Sequence, residues 1–297
     1  VLYETQLRPD GSVEINGSRL ADGNFRREVY LADSKKLEVL RILASNGGVL
    51  YEEQYLTSGG LARVIERNSH GGTSTEFYRE DGSLELVEIR GVNEWDSVER
   101  HIFDAKSEKI LEVTYTHSSI SVKYYENGVL VEERSVYNYG YGDQGTAHVT
   151  TYDEHGNKLI RFYEGKHNGD WTDITDYNLK TITEYEGKSK VKRVIEFYPD
   201  QKTPKEIKYP EGSGHYYNTR YKYFRPDGTL EKEEFKVDYK TTEDQKEYTV
   251  EDNIREEIPS EYFERSKRKS PELLDVMPTS PPACEYCGGE GCEYCYD

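Results

Sequence analysis

A short phrase built around Asp-Gly or Asn-Gly recurs along the chain and restricts the folds that it can adopt. The phrase is an aromatic residue, two or three residues, Asp/Asn-Gly, one or two residues and Leu. Its clearest copies are Phe77 to Leu84, Tyr124 to Leu130 and Tyr223 to Leu230, and Tyr152 to Leu159 is a variant with His before the Gly. The Gly supplies the positive φ of a tight hairpin turn, and the flanks are rich in β-branched and aromatic residues. Each copy therefore predicts a strand, a tight turn and a second strand.

Weaker copies extend the pattern, which indicates an array of repeats. They are Leu7 to Val13, Ile42 to Leu50 and Phe103 to Leu111, with degenerate copies at Tyr185 to Val191 and Tyr198 to Ile207. From Gly82 the turns recur roughly every 20 to 30 residues, a period typical of a supersecondary unit; before residue 60 they are closer and less regular. We predict an all-β fold, an elongated antiparallel sheet of stacked β-hairpin repeats. The alternative is a barrel or sandwich that uses Asp-Gly turns, and the pattern does not decide whether the sheet closes.

The composition fits a thin fold with much surface. Hydrophobic residues are 34% and charged residues 32% of the chain, yet it holds 27 Tyr, 8 Phe and 2 Trp, which a disordered chain would lack. Tyr suits a half-buried surface, with a packed ring and an exposed hydroxyl. The formal charge of −18 argues against nucleic acid as a partner. It is compatible with a cationic protein partner, although solubility alone explains it more simply.

The sequence predicts neither a membrane span nor a secreted domain. No apolar run approaches the length of a transmembrane helix, and the start, VLYETQLRPDGSVEING, has no signal-peptide pattern. The first 283 residues contain no cysteine, which argues against a disulfide-stapled secreted domain and favours a cytoplasmic location. The chain begins at Val1 and its single Met is Met277, so the N-terminus is treated as incomplete and a lost signal peptide is compatible with it.

The chain changes character near residue 250, and four segments are predicted. Residues 1–250 form the hairpin-repeat domain, 251–277 a short helical segment, 278–283 a Pro-rich linker and 284–297 a flexible Cys-rich tail. Ser260 to Lys269 has an N-cap serine, early acids and late bases, and Ser270 to Met277 has a cap followed by Pro; both fit short helices.

The tail carries all four cysteines of the chain, as two C-x-x-C pairs. Cys284, Cys287, Cys292 and Cys295 supply four thiolates, a set that suits one tetrahedral zinc ion. The glycines between the pairs allow the second pair to turn back on the first. We therefore predict one zinc ion in the tail, with a redox-active pair or idle thiols as alternatives. Residues 284–291 resemble the C-x-x-C-x-G-x-G unit of the DnaJ-type zinc-binding domain. The second pair lacks the glycines of that unit and the spacing is shorter, so the resemblance extends to metal binding and not to chaperone function.

No catalytic motif appears in the sequence. Its 7 His residues show neither H-x-x-x-H nor H-E-x-x-H spacing, and there is no G-x-S-x-G, P-loop or dinucleotide-binding glycine pattern. The sequence therefore favours a protein that is not an enzyme.

The phrase aromatic-Glu-Asn-Gly-x-Leu, as in Tyr125 to Leu130, resembles the MORN-like repeats of the YwqK family of bacterial antitoxins. The variant Tyr152 to Asn157 is more distantly similar to the YD repeats of RHS proteins. The resemblance covers about residues 70 to 240 and implies an all-β binding scaffold, some members of which neutralise a toxin. We expect a non-enzymatic, protein-binding scaffold, in its sharpest form an antitoxin or immunity protein. The alternative is an extracellular or virion structural module that binds glycan or protein.

Overall fold

The computed structural model describes residues 3–32, 36–68, 71–92, 97–116, 119–138, 144–166, 174–187, 189–211, 218–237 and 240–264. It confirms the all-β, antiparallel fold predicted from the hairpin repeats. Twenty strands belong to one sheet, and helical structure within these residues consists of two short 3-10 helices, Val250–Asp252 and Ser260–Phe263. None of the described helical residues forms a helix long and apolar enough to cross a membrane.

The strands are short and similar in length. They are β1 Tyr3–Leu7, β2 Val13–Arg19, β3 Phe25–Tyr30, β4 Leu37–Leu43, β5 Val49–Tyr55, β6 Leu61–Arg67, β7 Thr73–Tyr78, β8 Leu84–Arg90, β9 Val98–Phe103, β10 Lys109–Tyr115, β11 Ser119–Glu126, β12 Val129–Asn138, β13 Gln144–Tyr152, β14 Lys158–Lys166, β15 Asn178–Glu186, β16 Lys190–Phe197, β17 Pro204–Pro210, β18 Asn218–Phe224, β19 Leu230–Val237 and β20 Lys240–Glu247.

The chain divides into two compact units. The first unit is Val1–His117 with Tyr124–Val129, and the second is Ser118–Lys123 with Leu130–Asp297. From β1 to β10, and again from β12 to β20, each strand pairs antiparallel with the next strand in sequence.

Most of the turns that the structure describes share the geometry seen between β7 and β8. The Arg79 amide donates to the Ser83 carbonyl and the Gly82 amide donates to the Arg79 carbonyl, both at 2.9 Å, while Gly82 has a φ of +84°. The register shifts beside the turn, so this is a type I turn closed by a bulge whose Gly is left-handed. The Asp81 carboxylate accepts the Ser83 amide at 2.8 Å. In this Asp-Gly phrase the Asp therefore holds the turn with its side chain, and the Gly supplies the positive φ.

The expectation of a less regular start is wrong. Before residue 60 the same turn recurs with left-handed Gly11, Gly23, Gly47 and Gly59, and strands β2 to β5 have six or seven residues each. Where the turns of this region are described, one strand and one turn together use about a dozen residues. The close spacing of Asp-Gly and Asn-Gly signals before residue 60 therefore reflects short strands of nearly equal length joined by similar turns.

The first unit has little buried core. Among its described residues before Ile102, the buried positions are Gly17, Glu52 and Gly72, and most other strand side chains are half-buried. A sheet of this kind is stabilised mainly by contacts between side chains on neighbouring strands. Polar side chains on both faces of this sheet are therefore partly exposed to solvent.

The second unit has a hydrophobic cluster covered by the chain after β20. The cluster includes the fully buried Ile182, Ile195 and Ile207, against which the later residues Tyr262 and Phe263 pack. The Phe263 ring lies 5.5 Å from the Phe197 ring, edge to face. We call residues 248–264, which cross this face, the C-terminal strap.

In its described part the predicted helix over 260–269 is only a short 3-10 turn, Ser260–Phe263, without the predicted capping by Ser260. The 3-10 turn ends at Phe263, Glu264 is extended, and no side chain caps the turn. The Arg161 guanidinium donates to the carbonyls of Tyr262, at 2.7 Å, and Glu261, at 3.1 Å. These carbonyls would accept hydrogen bonds from residues 265 and 266 in an α-helix. The predicted segment 270–277, the linker and the tail lie outside the described residues.

Candidate functional site

The sheet of the first unit presents two chemically different faces. Directly paired residues of antiparallel strands point to the same face, so the register assigns each side chain. One central row runs across β2 to β10 and alternates acidic with aliphatic residues over most of its length. It contains Asn16, Glu28, Leu40, Glu53, Val64, Glu76, Val87, His101 and Glu112. We call the face that carries this row the tyrosine–glutamate face.

Tyrosine hydroxyls donate to the glutamates of this row. The pattern Glu-x-Tyr ends strands β3, β5 and β7, and a spacing of two residues places both side chains on one face of a strand. The pairs are Tyr30 with Glu28, at 2.9 Å, Tyr55 with Glu53, and Tyr78 with Glu76, and Tyr51 also donates to Glu53, at 2.6 Å.

These contacts raise the pKa values of the tyrosines. Burial and the hydrogen bond to Glu53 raise the pKa of Tyr55 to about 12. The hydrogen bond to Glu76, together with burial, raises the pKa of Tyr78 to about 12. Burial, Glu53 and the nearby charge of Glu66 raise the pKa of Tyr51. The carboxylates therefore hold these hydroxyls in the protonated, donating form.

A shallow acidic groove crosses β5, β6 and β7 on this face. Its lining consists of Tyr51, Glu53, Leu61, Val64, Glu66, Ser74, Glu76 and Tyr78. Within the part of the chain that the structure describes, none of Glu53, Glu66 and Glu76 forms an ion pair. Glu53 and Glu76 lie two strands apart, or roughly 10 Å. The groove therefore presents three carboxylates whose negative charge is not neutralised by a cation of the same chain.

The opposite face neutralises its carboxylates with arginine. Arg41 donates to Glu52 at 2.5 Å, and Arg100 donates to Glu88 at 2.8 Å. Burial opposes ionisation of both glutamates, but the arginine hydrogen bonds prevail and lower their pKa values. The groove over β5 to β7 therefore differs from the opposite face in charge balance, although elsewhere on its own face Glu28 pairs with Arg26, at 2.8 Å.

Elsewhere in the chain, lysines occupy sites built of tyrosine and glutamate. In the second unit the Lys236 ammonium lies 2.7 Å from Glu234 and 4.4 Å from the centre of the Tyr221 ring. Lys232 lies 2.8 Å from the same carboxylate and 5.7 Å from the Tyr223 ring centre. Although burial opposes ionisation, the two lysines, with Tyr223, lower the pKa of Glu234 to about 2. A carboxylate beside a tyrosine ring therefore accommodates an ammonium group in this protein.

A second group of polar side chains lies at the end of the central row of the tyrosine–glutamate face. Glu99, His101 and Glu112 each place one potential metal-ligand atom within 4.8 Å of the others. His101 Nε2 contacts Glu99 and lies 3.9 Å from Glu112 Oε2. The same Glu112 oxygen accepts the Lys109 ammonium at 2.8 Å and the Tyr125 hydroxyl at 3.2 Å.

The metal ligands predicted from the sequence lie outside the described residues. Cys284, Cys287, Cys292 and Cys295 belong to the undescribed 265–297, so the zinc site in the tail stays a prediction. Helical His spacings do not reveal the three-residue group, because its members lie on strands. Glu99 and His101 are two residues apart on a strand, and Glu112 joins them across the β9–β10 hairpin. A search for acid and His at strand spacing on both sides of a turn would have found the group.

Comparison with protein-family models and a search of curated proteins found no match for this chain.

Proposed function

We propose that the chain is a non-enzymatic protein-binding scaffold whose tyrosine–glutamate face binds a lysine-rich segment of a partner. The observation that carries the proposal is the groove over β5 to β7, in which Glu53, Glu66 and Glu76 lack a neutralising cation among the described residues. The resemblance to MORN-like antitoxin repeats agrees with a binding scaffold. In its sharpest form the proposal makes the partner a basic toxin and this chain its antitoxin or immunity protein.

The chemistry of the groove suits lysine in particular. A Lys ammonium can contact a carboxylate while its methylene stem covers apolar side chains, here Val64 and Leu61. The rings of Tyr51 and Tyr78 add cation–π attraction of about 0.5 to 1 kcal/mol at exposed sites. The contacts of Lys232 and Lys236 with Glu234 are the intramolecular precedent for this mode.

The proposal is tested by titrating the full chain with an oligolysine peptide in a calorimeter at physiological ionic strength. An exposed ion pair contributes about 0.5 kcal/mol, so the triple variant Glu53→Gln/Glu66→Gln/Glu76→Gln is expected to weaken binding about tenfold. The matched control is Glu38→Gln/Glu80→Gln/Glu108→Gln, which removes three exposed charges from the same unit. The control is expected to change the affinity by less than about twofold, because those charges lie outside the groove.

Equal weakening by the two triple variants would contradict the proposal, since it would show attraction to net charge and not to the groove. The zinc ion that we propose for Cys284, Cys287, Cys292 and Cys295 is independent of this surface. Replacing Cys287 with Ser is expected to leave oligolysine binding unchanged and to remove zinc from the tail.

A further inference from the structure

The strand pairs β3–β4, β5–β6, β7–β8 and β9–β10 form four repeats of the first unit. The group at the end of the central row departs from this repeat at three positions. In the first three repeats the central glutamate faces an aliphatic residue on the next strand: Glu28 faces Leu40, Glu53 faces Val64, and Glu76 faces Val87. In the fourth, His101 replaces the glutamate and Glu112 replaces the aliphatic residue.

The third change lies two residues before the central position. Arg26, Tyr51 and Ser74 occupy it in the first three repeats, and Glu99 occupies it in the fourth. In place of one carboxylate beside an aliphatic side chain, the fourth repeat therefore presents one imidazole between two carboxylates. The aliphatic neighbours remain on the other side, where Val87 pairs with His101 and Ile89 pairs with Glu99.

We propose that Glu99, His101 and Glu112 form a binding site for a divalent transition-metal ion such as Zn²⁺. One imidazole nitrogen and two carboxylate oxygens are a ligand set that zinc accepts, with a further position left for water or a partner's side chain. Glu112 is 8% exposed, so one ligand is held in a largely buried position. The site is separate from the groove over β5 to β7 and does not depend on the proposed function.

The geometry requires small side-chain movements only. Ligand atoms about 2.0 to 2.2 Å from a tetrahedral zinc lie roughly 3.3 Å from one another. The three ligand atoms already lie within 4.8 Å, so rotation of the two Glu side chains by about 1 Å closes the set. His101 would bind through Nε2 in place of its hydrogen bond to Glu99.

The positive charge of Lys109 is expected to weaken the binding of a cation at this site. Its ammonium lies 2.8 Å from Glu112 Oε2, and a second positive charge there repels the metal. Because a carboxylate has two oxygens, Lys109 and a metal ion can share Glu112, but at a cost in metal affinity. Removal of this ammonium should therefore strengthen metal binding, which a purely structural ion-pair network would not show.

The experiment titrates ZnCl₂ into the full chain with all four tail cysteines replaced by Ser, so that the tail cannot bind the metal. We expect one zinc per chain and a rise in melting temperature. His101→Gln should weaken binding by more than about 100-fold, beyond the effect of losing an outer-shell contact. The control His155→Gln, at an exposed turn position, should leave binding unchanged.

A second variant keeps the test decisive if His101→Gln fails to fold, as judged by circular dichroism. Lys109→Met keeps an unbranched side chain of similar length, removes the ammonium that lies 4.4 Å from the centre of the Tyr125 ring, and is expected to raise zinc affinity several-fold. The absence of zinc binding by the Cys-free chain would overturn the proposal. So would equal affinity of a folded His101→Gln variant, or weaker binding by a folded Lys109→Met variant.

Discussion

At the scale of single residues, the Glu-x-Tyr pair is the recurring chemical unit of the first three repeats. The strand places both side chains on one face, where the phenol donates to the carboxylate without neutralising it. An arginine in the tyrosine position would form an ion pair, as Arg90 does with Glu88. At Glu53 and Glu76 the choice of Tyr therefore leaves the negative charge available to another molecule, whereas Glu28 also pairs with Arg26, at 2.8 Å.

The Tyr78–Glu76 pair allows a direct test of this chemistry. Replacing Glu76 with Gln should lower the pKa of Tyr78 from about 12 toward 10, because the charged acceptor is the largest cause of its shift. An ultraviolet difference titration of tyrosinate against the parent chain measures this change. Glu80→Gln is the control, and identical titration curves for the Glu76 variant and the parent would contradict the assignment.

Strand spacing explains why the three-residue group was not predicted. The sequence shows Glu99 and His101 at alternating positions, but their partner Glu112 depends on the register of the β9–β10 hairpin. That register shifts by a bulge between Lys109 and Leu111, which the residue spacing along a single strand does not reveal. Contacts across a strand pair are set by turn geometry, so such sites follow only after the turn type is known.

At the scale of elements, the turns determine which residues share a face. The Asp-Gly phrase predicted the hairpins, because the requirement for positive φ is local and visible in the sequence. It did not distinguish a two-residue turn from a turn with a bulge. Both kinds occur: Asn127 and Gly128 both have positive φ, whereas in the turn at Asp81 and Gly82 only the Gly does.

Gly82 tests the energetic role of these turns. Its φ is +84° and nothing lies within 4 Å of an added Cβ, so Gly82→Ala is expected to cost about 1 kcal/mol from backbone strain alone. Gly82→Asn should cost less, since Asn tolerates the left-handed region better. Urea denaturation measures both variants, and equal stability of Gly82→Ala and the parent would contradict this account.

The C-terminal strap is an element that the sequence did not disclose. The Arg161 side chain binds carbonyls about a hundred residues later in the chain, and no local pattern predicts such a contact. The basic run after Ser260 suggested a helix instead. Within the described residues the helical turn ends at Phe263, and Tyr262 and Phe263 contact the sheet.

Truncation of Phe263 tests the strap. Phe263→Ala removes a half-buried ring packed on Phe197 and is expected to lower the free energy of unfolding by about 2 kcal/mol, below the range for a fully buried Phe. Chemical denaturation measures the loss, with the exposed Glu264→Ala as the control. A loss no larger than that of the control would show that the strap contributes little to stability.

At the scale of the whole molecule, the two units are built from similar antiparallel strands but differ in how much of their side chains is buried. The second unit has a buried cluster and a strap, whereas the first has half-buried faces and ladders of polar side chains. The abundance of tyrosine in the sequence agrees with the half-buried side chains of the first unit. It did not predict which face would be charge-balanced, because the pairing of Glu with Arg or with Tyr is decided by strand register.

The raised tyrosine pKa values predict a stability limit at high pH. Tyr55, Tyr78 and Tyr115 have pKa values of about 12 in the folded chain against 10 when unperturbed. Their contribution to stability is complete below about pH 10 and is lost as the pH rises through 12. Denaturation at pH 9, 10 and 11 should show a falling free energy of unfolding above pH 10, and a flat profile would contradict the shifts.

The central claim is that one face of the first unit, and not the other, binds a lysine-rich partner. Ser74 and Thr75 are neighbours in β7 and point to opposite faces, since Ser74 pairs with Glu66 and Thr75 pairs with Ile65. The most direct measurement places a photo-crosslinking amino acid at each position in turn, with a biotinylated oligolysine peptide as the probe. The account predicts a crosslinked product from position 74 and little from position 75. Equal yields, or a product from position 75 alone, would contradict it.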